Sequence, residues 1–356
     1  MKDIVVVVNI DAKPKPAETL DILLLSTAGQ KDPKIYRSLD DILTDYPAVG
    51  GVNQVIYSKA EAMFNQGKTT LADTLIRKVT VAGIEKPESP ADMIASLEKL
   101  QETYNDWYIF LTDNDTDEYI QALAAWAEAS EPTEAELGAG IEDHRKLYFA
   151  QTNSKTLAVK NARCVITYVD KLSECADAAW LGNVGPFYPQ SVTWKFKAPQ
   201  GLTVPDLTEA ERDALEAANI NFMSTEYKNE YMKNGVCADG EFIDVQLGAD
   251  YIAYDMRKNL YAVMLKNAVV PYTDAGFALV AGAVFQTLNK ATDLGIIAAD
   301  PANKKGIYFV TVPKRSEATD DQARARIMPP IYWDALLQGA VHSAKSKGTL
   351  RATLSN

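Results

Sequence analysis

Histidine and cysteine are scarce in this chain, and bases are outnumbered by acids. The 356 residues include two histidines, His144 and His342, and three cysteines, Cys164, Cys175 and Cys237. No C-x-x-C, H-E-x-x-H or G-x-S-x-G spacing surrounds them, so a zinc centre lacks its ligands and a serine triad lacks its context. Three cysteines without a paired framework fit synthesis in a reducing compartment. Lysine and arginine number 36 against 48 acids, a net charge of -12. Nucleic acid and anionic membrane both call for a basic face, so neither is expected as a partner. Long apolar runs are missing too. Ile4-Val5-Val6-Val7-Val8 meets Asn9 and Asp11 too early for a signal peptide or a bilayer span, and is read as a strand of a soluble protein with no membrane insertion.

What is present is material for a folded protein: 47% of the residues are apolar, and the length allows two domains with proper cores. In the first, apolar runs of strand length alternate with segments of helical spacing. Strands are expected at Leu20 to Ser26, Arg77 to Ile84, Trp107 to Leu111, Leu147 to Ala150 and Cys164 to Val169. Helices are expected from Ser38, over Gln54 to Gln66, from Pro90, after a Thr116 cap, over Ser154 to Ala162 and over Ser173 to Leu181. This alternation predicts an α/β domain with a mainly parallel sheet and helices on both faces.

The pattern changes near Gly185-Pro186 and again at Ala198-Pro199. A capping box, Thr208 with Glu211, opens a helix, and antiparallel strands are expected at Asn221 to Tyr227 and Glu241 to Val245. Helices over Tyr251 to Leu265 and Thr273 to Leu294 and a strand over Ile307 to Val312 complete an α+β C-terminal domain. The divisions expected are an N-terminal arm and tether over 1–16, an α/β domain over 17–197, an α+β domain over 198–346 and a C-terminal arm over 347–356.

Two stretches imitate chemistry. Gly67-Lys68-Thr69 resembles the end of a phosphate loop, but the loop's first glycine would fall at Ala62 inside a helix. Asp113, Asp115 and Asp117 imitate a calcium loop, yet Glu118 replaces its glycine and Ala124 its bidentate acid. No catalytic, cofactor-binding or metal-binding residue is assigned. An α/β enzyme of hydrolase type, using carboxylates such as Asp21, Asp113 or Asp170 near strand ends, is the alternative from a different class.

The two ends of the chain carry strands without an evident partner. Ile331, Trp333, Ala335, Leu337, Gly339 and Val341 alternate with Tyr332, Asp334, Gln338 and His342, which is the period of a half-buried strand. After Lys345-Ser346-Lys347-Gly348 a second alternation sets Leu350, Ala352 and Leu354 against Thr349, Arg351 and Thr353. The first strand, from Ile4 to Ile10, hangs on a stiff Pro14-Lys15-Pro16 tether. Such termini suit a subunit that lends strands to its neighbours. Beyond Asp321 the only acid is Asp334, against Arg324, Arg326, Lys345, Lys347 and Arg351. A basic end on an acidic protein invites an acidic partner surface.

Several of these stretches, in order, resemble the contractile tail sheath proteins of bacteriophages and phage-tail-like bacteriocins. They are Trp194-Lys195-Phe196-Lys197 before Gly201-Leu202, the helix from Leu207, the turn Asn219-Ile220-Asn221, Pro271-Tyr272-Thr273-Asp274-Ala275-Gly276 opening a long helix, and Leu336-Leu337-Gln338-Gly339-Ala340-Val341-His342. Val55 to Gln66 is similar to the helix that precedes a strand in the first half. The resemblance implies a structural, non-enzymatic subunit without cofactors, polymerising as stacked hexameric rings around a tail tube. It implies contraction on a baseplate trigger, and tube, baseplate and tail terminator proteins as partners. The particle would be a virion tail or tail-like particle assembled in the bacterial host cytoplasm. It maps the inter-subunit arms onto Ile4, Val5, Val6, Val7, Val8 and Ile10 and onto Thr349, Leu350, Arg351, Ala352, Thr353 and Leu354. The acceptor strand it implies contains Tyr332, Trp333, Leu337, Gly339 and Val341. Another virion component, of tube or baseplate, is the remaining alternative.

Overall fold

A computed structural model of the chain describes residues 20–67, 76, 78–133 and 144–345. Both expected arms, with Lys68, Thr69 and Lys347, lie outside the described residues.

The centre is β1 (Ile22–Ser26), whose five residues are all buried. It is followed by β2 (Lys31–Tyr36), α1 (Leu39–Asp45), α2 (Gly51–Phe64), β3 (Val79–Gly83), α3 (Pro90–Thr103), β4 (Ile109–Thr112), α4 (Asp117–Ala129), β5 (Leu147–Thr152), β6 (Cys164–Tyr168) and α5 (Ala176–Val184). Then come α6 (Glu209–Ala217), β7 (Asn221–Glu226), β8 (Asn229–Lys233), α7 (Ile243–Lys266), α8 (Asp274–Asp293), β9 (Tyr308–Thr311), α9 (Asp320–Ala325) and β10 (Tyr332–Ala335). Eight strands form one sheet in the order β2-β3-β1-β4-β5-β6-β7-β8. Strands β3 to β7 run parallel with β1, and β2 and β8 close the two edges antiparallel. Strands β1, β3, β4, β5 and β6 are mainly apolar without alternation because both of their faces are covered. One face packs on α1, α2 and α5 through Ile42, Ile56, Met63 and Trp180. The other packs on α3, α4 and α6 through Leu97, Leu123 and Leu215. The α/β expectation and the helices on both faces hold.

The sheet runs past the division expected at residue 198, because β7 and β8 are part of it. Buried Asn221 explains the join. Its amide donates to the carbonyls of Ile166 (3.0 Å) and Val236 (2.8 Å) while its oxygen accepts from the amides of Gly235 (2.9 Å) and Val236 (3.0 Å). A second, smaller core of Tyr251, Ile252, Val284, Leu288, Ala291, Ile296 and Ile297 holds α7 and α8 together beside the two-stranded sheet β9–β10.

Several local expectations are corrected. Residues Ser154 to Ala162 are not helical: Thr152 Oγ1 accepts from the Ser154 amide (3.0 Å) and Asn161 Oδ1 from the Arg163 amide (2.8 Å), so short polar side chains hold turns instead. Thr116 stands at the N-cap of α4, yet its hydroxyl donates to Asn114 Oδ1 (3.0 Å) rather than capping. Glu241 to Val245 is not a strand, since Phe242 is already the N-cap of α7. The strand expected from Ile331 to Val341 ends at Ala335. Leu337 makes a single bridge to Ile297, and Gly339, at φ +60°, breaks the extended run before Val341. Among the described residues no helix is long and apolar enough to cross a membrane.

Candidate functional site

The carboxyl ends of β1 and β4, where the strand order reverses, are the place at which α/β enzymes hold ligands. Here that crevice is filled by the chain itself. Lys59 of α2 is fully buried and pairs with Asp177 (2.6 Å) and Asp115 (2.9 Å). The Thr27 amide donates to Asp113 Oδ2 (2.7 Å), and Thr152 Oγ1 to Asp117 (3.2 Å). Burial pushes the Asp113 carboxyl up to about 6. The three carboxylates of the enzyme alternative are not gathered. Asp21 precedes β1 and pairs with Lys78, whereas Asp113 follows β4, which puts the two at opposite ends of parallel strands. Asp170 accepts from Tyr168 (3.1 Å) and the Asp206 amide (2.8 Å). No group of three metal-ligating side chains occurs among the described residues.

A different feature is left open. Strands β9 and β10 pair antiparallel, with Tyr332 opposite Thr311 and Trp333 opposite Val310. Alternation sends Tyr308, Val310, Trp333 and Ala335 to one face and Phe309, Thr311, Tyr332 and Asp334 to the other. Phe309 is 77% and Tyr332 67% exposed. A two-stranded sheet is marginal by itself and leaves edges on which further strands can form. On the inner side a groove of about 430 Å³ separates the sheet from α7, walled by Ile252, Met256 and Leu260 of the helix and by Trp333, Ala335 and Leu337. Trp333 and Leu337 belong to the acceptor strand expected from the sequence, with no groove expected there. Ile252, Met256 and Leu260 were passed over, although their four-residue spacing was legible as a helix stripe.

Helix α7 carries one wall of the groove and is fixed through three buried acids. Asp244, at its start, has its carboxyl raised by burial. Asp250 accepts from Tyr108, from both terminal nitrogens of Arg163 and from Arg145 (2.9 Å). Burial works against the Arg163 charge, but Asp250 with Tyr108 and Glu131 outweighs it and holds the guanidinium above its ordinary pKa. Asp255 accepts from Asn259 (2.8 Å), Thr287 (3.0 Å) and Lys290 (3.0 Å). The helix thus joins the large sheet, through β4 and β6, to α8. A buried arginine and carboxylate need such complete pairing to be tolerated.

The remaining expected residues are dispersed. Arg324 and Arg326 are exposed at the end of α9, where Arg326 takes a left-handed φ of 54°, and Lys345 is exposed at the end of the described chain. Gly339 and Val341 lie on the surface beyond β10.

Residues 243–350 match the family model described as E217 tail sheath protein gp31-like, C-terminal domain. The match begins at the first residue of α7 and includes the groove walls on that helix and both strands of the open sheet. The chain is similar to a chain of the anti-feeding prophage (AFP) baseplate in its contracted state, with TM-score 0.61, 13% identity and coverage of 96% of this chain and 95% of that one. It is also similar to the sheath tail protein of Desulfitobacterium hafniense, with TM-score 0.52, 11% identity and coverage of 84% and 92%. At these identities the likeness is one of fold. A comparison with curated proteins gives no match.

Proposed function

We propose that this chain, which belongs with the contractile tail sheath proteins by its C-terminal domain and its fold, works as the self-assembling, non-enzymatic subunit of a sheath around a tail tube. The observation that carries the reading is the open β9–β10 sheet over its apolar groove, inside the matched domain. Its edges, unpaired among the described residues, and its exposed Phe309 and Tyr332 are what a polymer would cover. The covering strands in this reading are Ile4 to Ile10 and Thr349 to Leu354 of neighbouring copies, adding to Tyr332, Trp333 and Leu337. Backbone hydrogen bonds of an added strand tolerate a change of subunit angle better than interlocked side chains do, which suits a lattice that shortens while staying connected. Stacked hexameric rings, a tube inside, a baseplate at one end and a terminator at the other complete the proposal. Arg324, Arg326, Lys345 and Lys347 are its contacts to the tube or to a neighbour.

Electron microscopy of the purified protein tests it. Full-length chain is expected to form hollow cylinders. Removing Met1 to Ala12 or Lys347 to Asn356 is expected to leave a folded monomer that forms none. A full-length protein that stays monomeric under all conditions, or deletions that assemble as well as the parent, would overturn the reading.

A further inference from the structure

From Gly339 to Lys345 every residue is exposed except His342. Among the described residues, the last backbone bond holding this part of the chain is that of the Gln338 amide to the Ile296 carbonyl (3.0 Å). Gly339, in the left-handed region, turns the chain off the strand line, and Val341 stands 83% exposed. His342 instead enters a socket made of two other parts of the molecule. Its Nε2 lies 2.7 Å from Thr193 Oγ1. Its ring stands edge-on to Phe242 at 4.7 Å between centroids and to Phe196 at 6.1 Å. Phe242 is the N-cap of α7, and the Phe196 amide donates to the Met232 carbonyl of β8 (3.0 Å). One imidazole therefore touches the root of the C-terminal domain and the edge of the large sheet together.

We infer that His342 is the fastening that sets where the C-terminal arm leaves the body, tying the arm's root to the joint between sheet and C-terminal domain. This inference rests on the proposed use of residues 347–356 as an inter-subunit arm. An arm leaving from a fixed root reaches its acceptor over a narrow range of directions. From a loose root it samples a wide one, at a cost in ordering entropy on binding. Because the socket draws on both the edge strand β8 and the start of α7, a shift of either would move the root, and the arm with it.

The test uses the full chain and two readouts. In the monomer, trypsin cleavage after Lys345 is compared for wild type, His342→Ala, His342→Phe and Thr193→Val. Loss of the fastening by His342→Ala is expected to raise the cleavage rate about fivefold or more, the effect of losing one modest anchoring contact. The melting midpoint of the body should stay unchanged. His342→Phe, which keeps the ring contacts, and Thr193→Val, which keeps the imidazole, should fall between. Equal cleavage in His342→Ala and wild type overturns the fastening, whatever assembly does. In the second readout His342→Ala is expected to slow cylinder formation or broaden cylinder diameter, with partial rescue in His342→Phe. Faster cleavage with wild-type assembly would overturn the positioning role. Wild-type chain that forms no cylinders would overturn the sheath reading instead, with the cleavage comparison still deciding the fastening.

Discussion

At the scale of single residues the most telling group is a carboxylate that the fold tolerates without satisfying. Asp113 is half-buried; its Oδ2 takes the Thr27 amide, and its buried Oδ1 has no hydrogen-bond partner among the described residues. Burial raises its pKa from 3.8 to about 6, with the Thr27 bonds and the Lys59 charge opposing. The folded state therefore binds a proton more tightly than the unfolded chain does. Its contribution to stability is most favourable below the unfolded value and is lost as pH rises through about 6. A shift of this size corresponds to roughly 2–3 kcal/mol at full ionisation. Asp113→Asn keeps the shape and removes the charge. Urea unfolding is expected to show it more stable than wild type by about 1–3 kcal/mol at pH 7.5, with the gain fading toward pH 4. A gain independent of pH would show that charge burial is not the cause. In an enzyme of this architecture a raised carboxyl beside the strand ends would invite a catalytic role. Here it faces a lysine already committed to Asp115 and Asp177.

Between elements, α2 and α5 approach each other closely. A Cβ placed on Gly182 would lie 2.4 Å from the backbone oxygen of Met63 and 2.7 Å from its Cα, so the two helices can meet only where one has no side chain. Gly182→Ala must push α5 away from α2 and, with it, Trp180 and Leu181 out of their core positions. The expected cost is about 1–3 kcal/mol, read as a lowered denaturation midpoint at unchanged m-value. An unaltered midpoint would mean the helices slide apart freely. The elements most legible in the sequence were of this buried kind: β1, β3, β5 and β6 read as mainly apolar runs without alternation because water touches neither face. Edge strand β2, with the sequence KDPKIY, was missed because its lysines and proline, which deter pairing with other chains, erase the strand pattern. Strand β7 was legible at Asn221 to Tyr227, but its hairpin partner β8 was hidden by a Tyr227-Lys228 turn with two positive φ angles and none of the usual Asn-Gly signal. Of the open site, β10 was legible from alternation. The Asp250 hub was not, since Tyr108, Arg145 and Arg163 are brought to it only by the sheet.

For the molecule as a whole, charge divides where the matched domain begins. Up to Phe242 the chain has 23 lysines and arginines against 38 acids, a net -15, and from Ile243 onward it has 13 against 10, a net +3. Such a division weakens self-repulsion in any packing that sets the C-terminal domain of one copy on the acidic layer of another, and opposes packings that match like with like. In the proposed sheath it competes with a second force, the burial of Phe309, Tyr332 and the groove, which salt does not screen. The two are separable because the screening length falls from about 10 Å at 0.1 M salt to about 3 Å at 1 M. If the charge division guides assembly, light scattering should show cylinder formation slowing as sodium chloride rises from about 0.05 to 0.5 M, a range over which surface attractions are progressively screened. Arg324→Glu combined with Arg326→Glu should weaken assembly at low salt while leaving the monomer's melting midpoint within a degree or so, since both side chains are exposed. The difference from wild type should narrow as salt is added. Assembly that instead quickens with sodium chloride, in both proteins alike, would assign the lattice to apolar burial and strand addition, and leave the acidic layer the task of keeping free subunits apart before they are recruited.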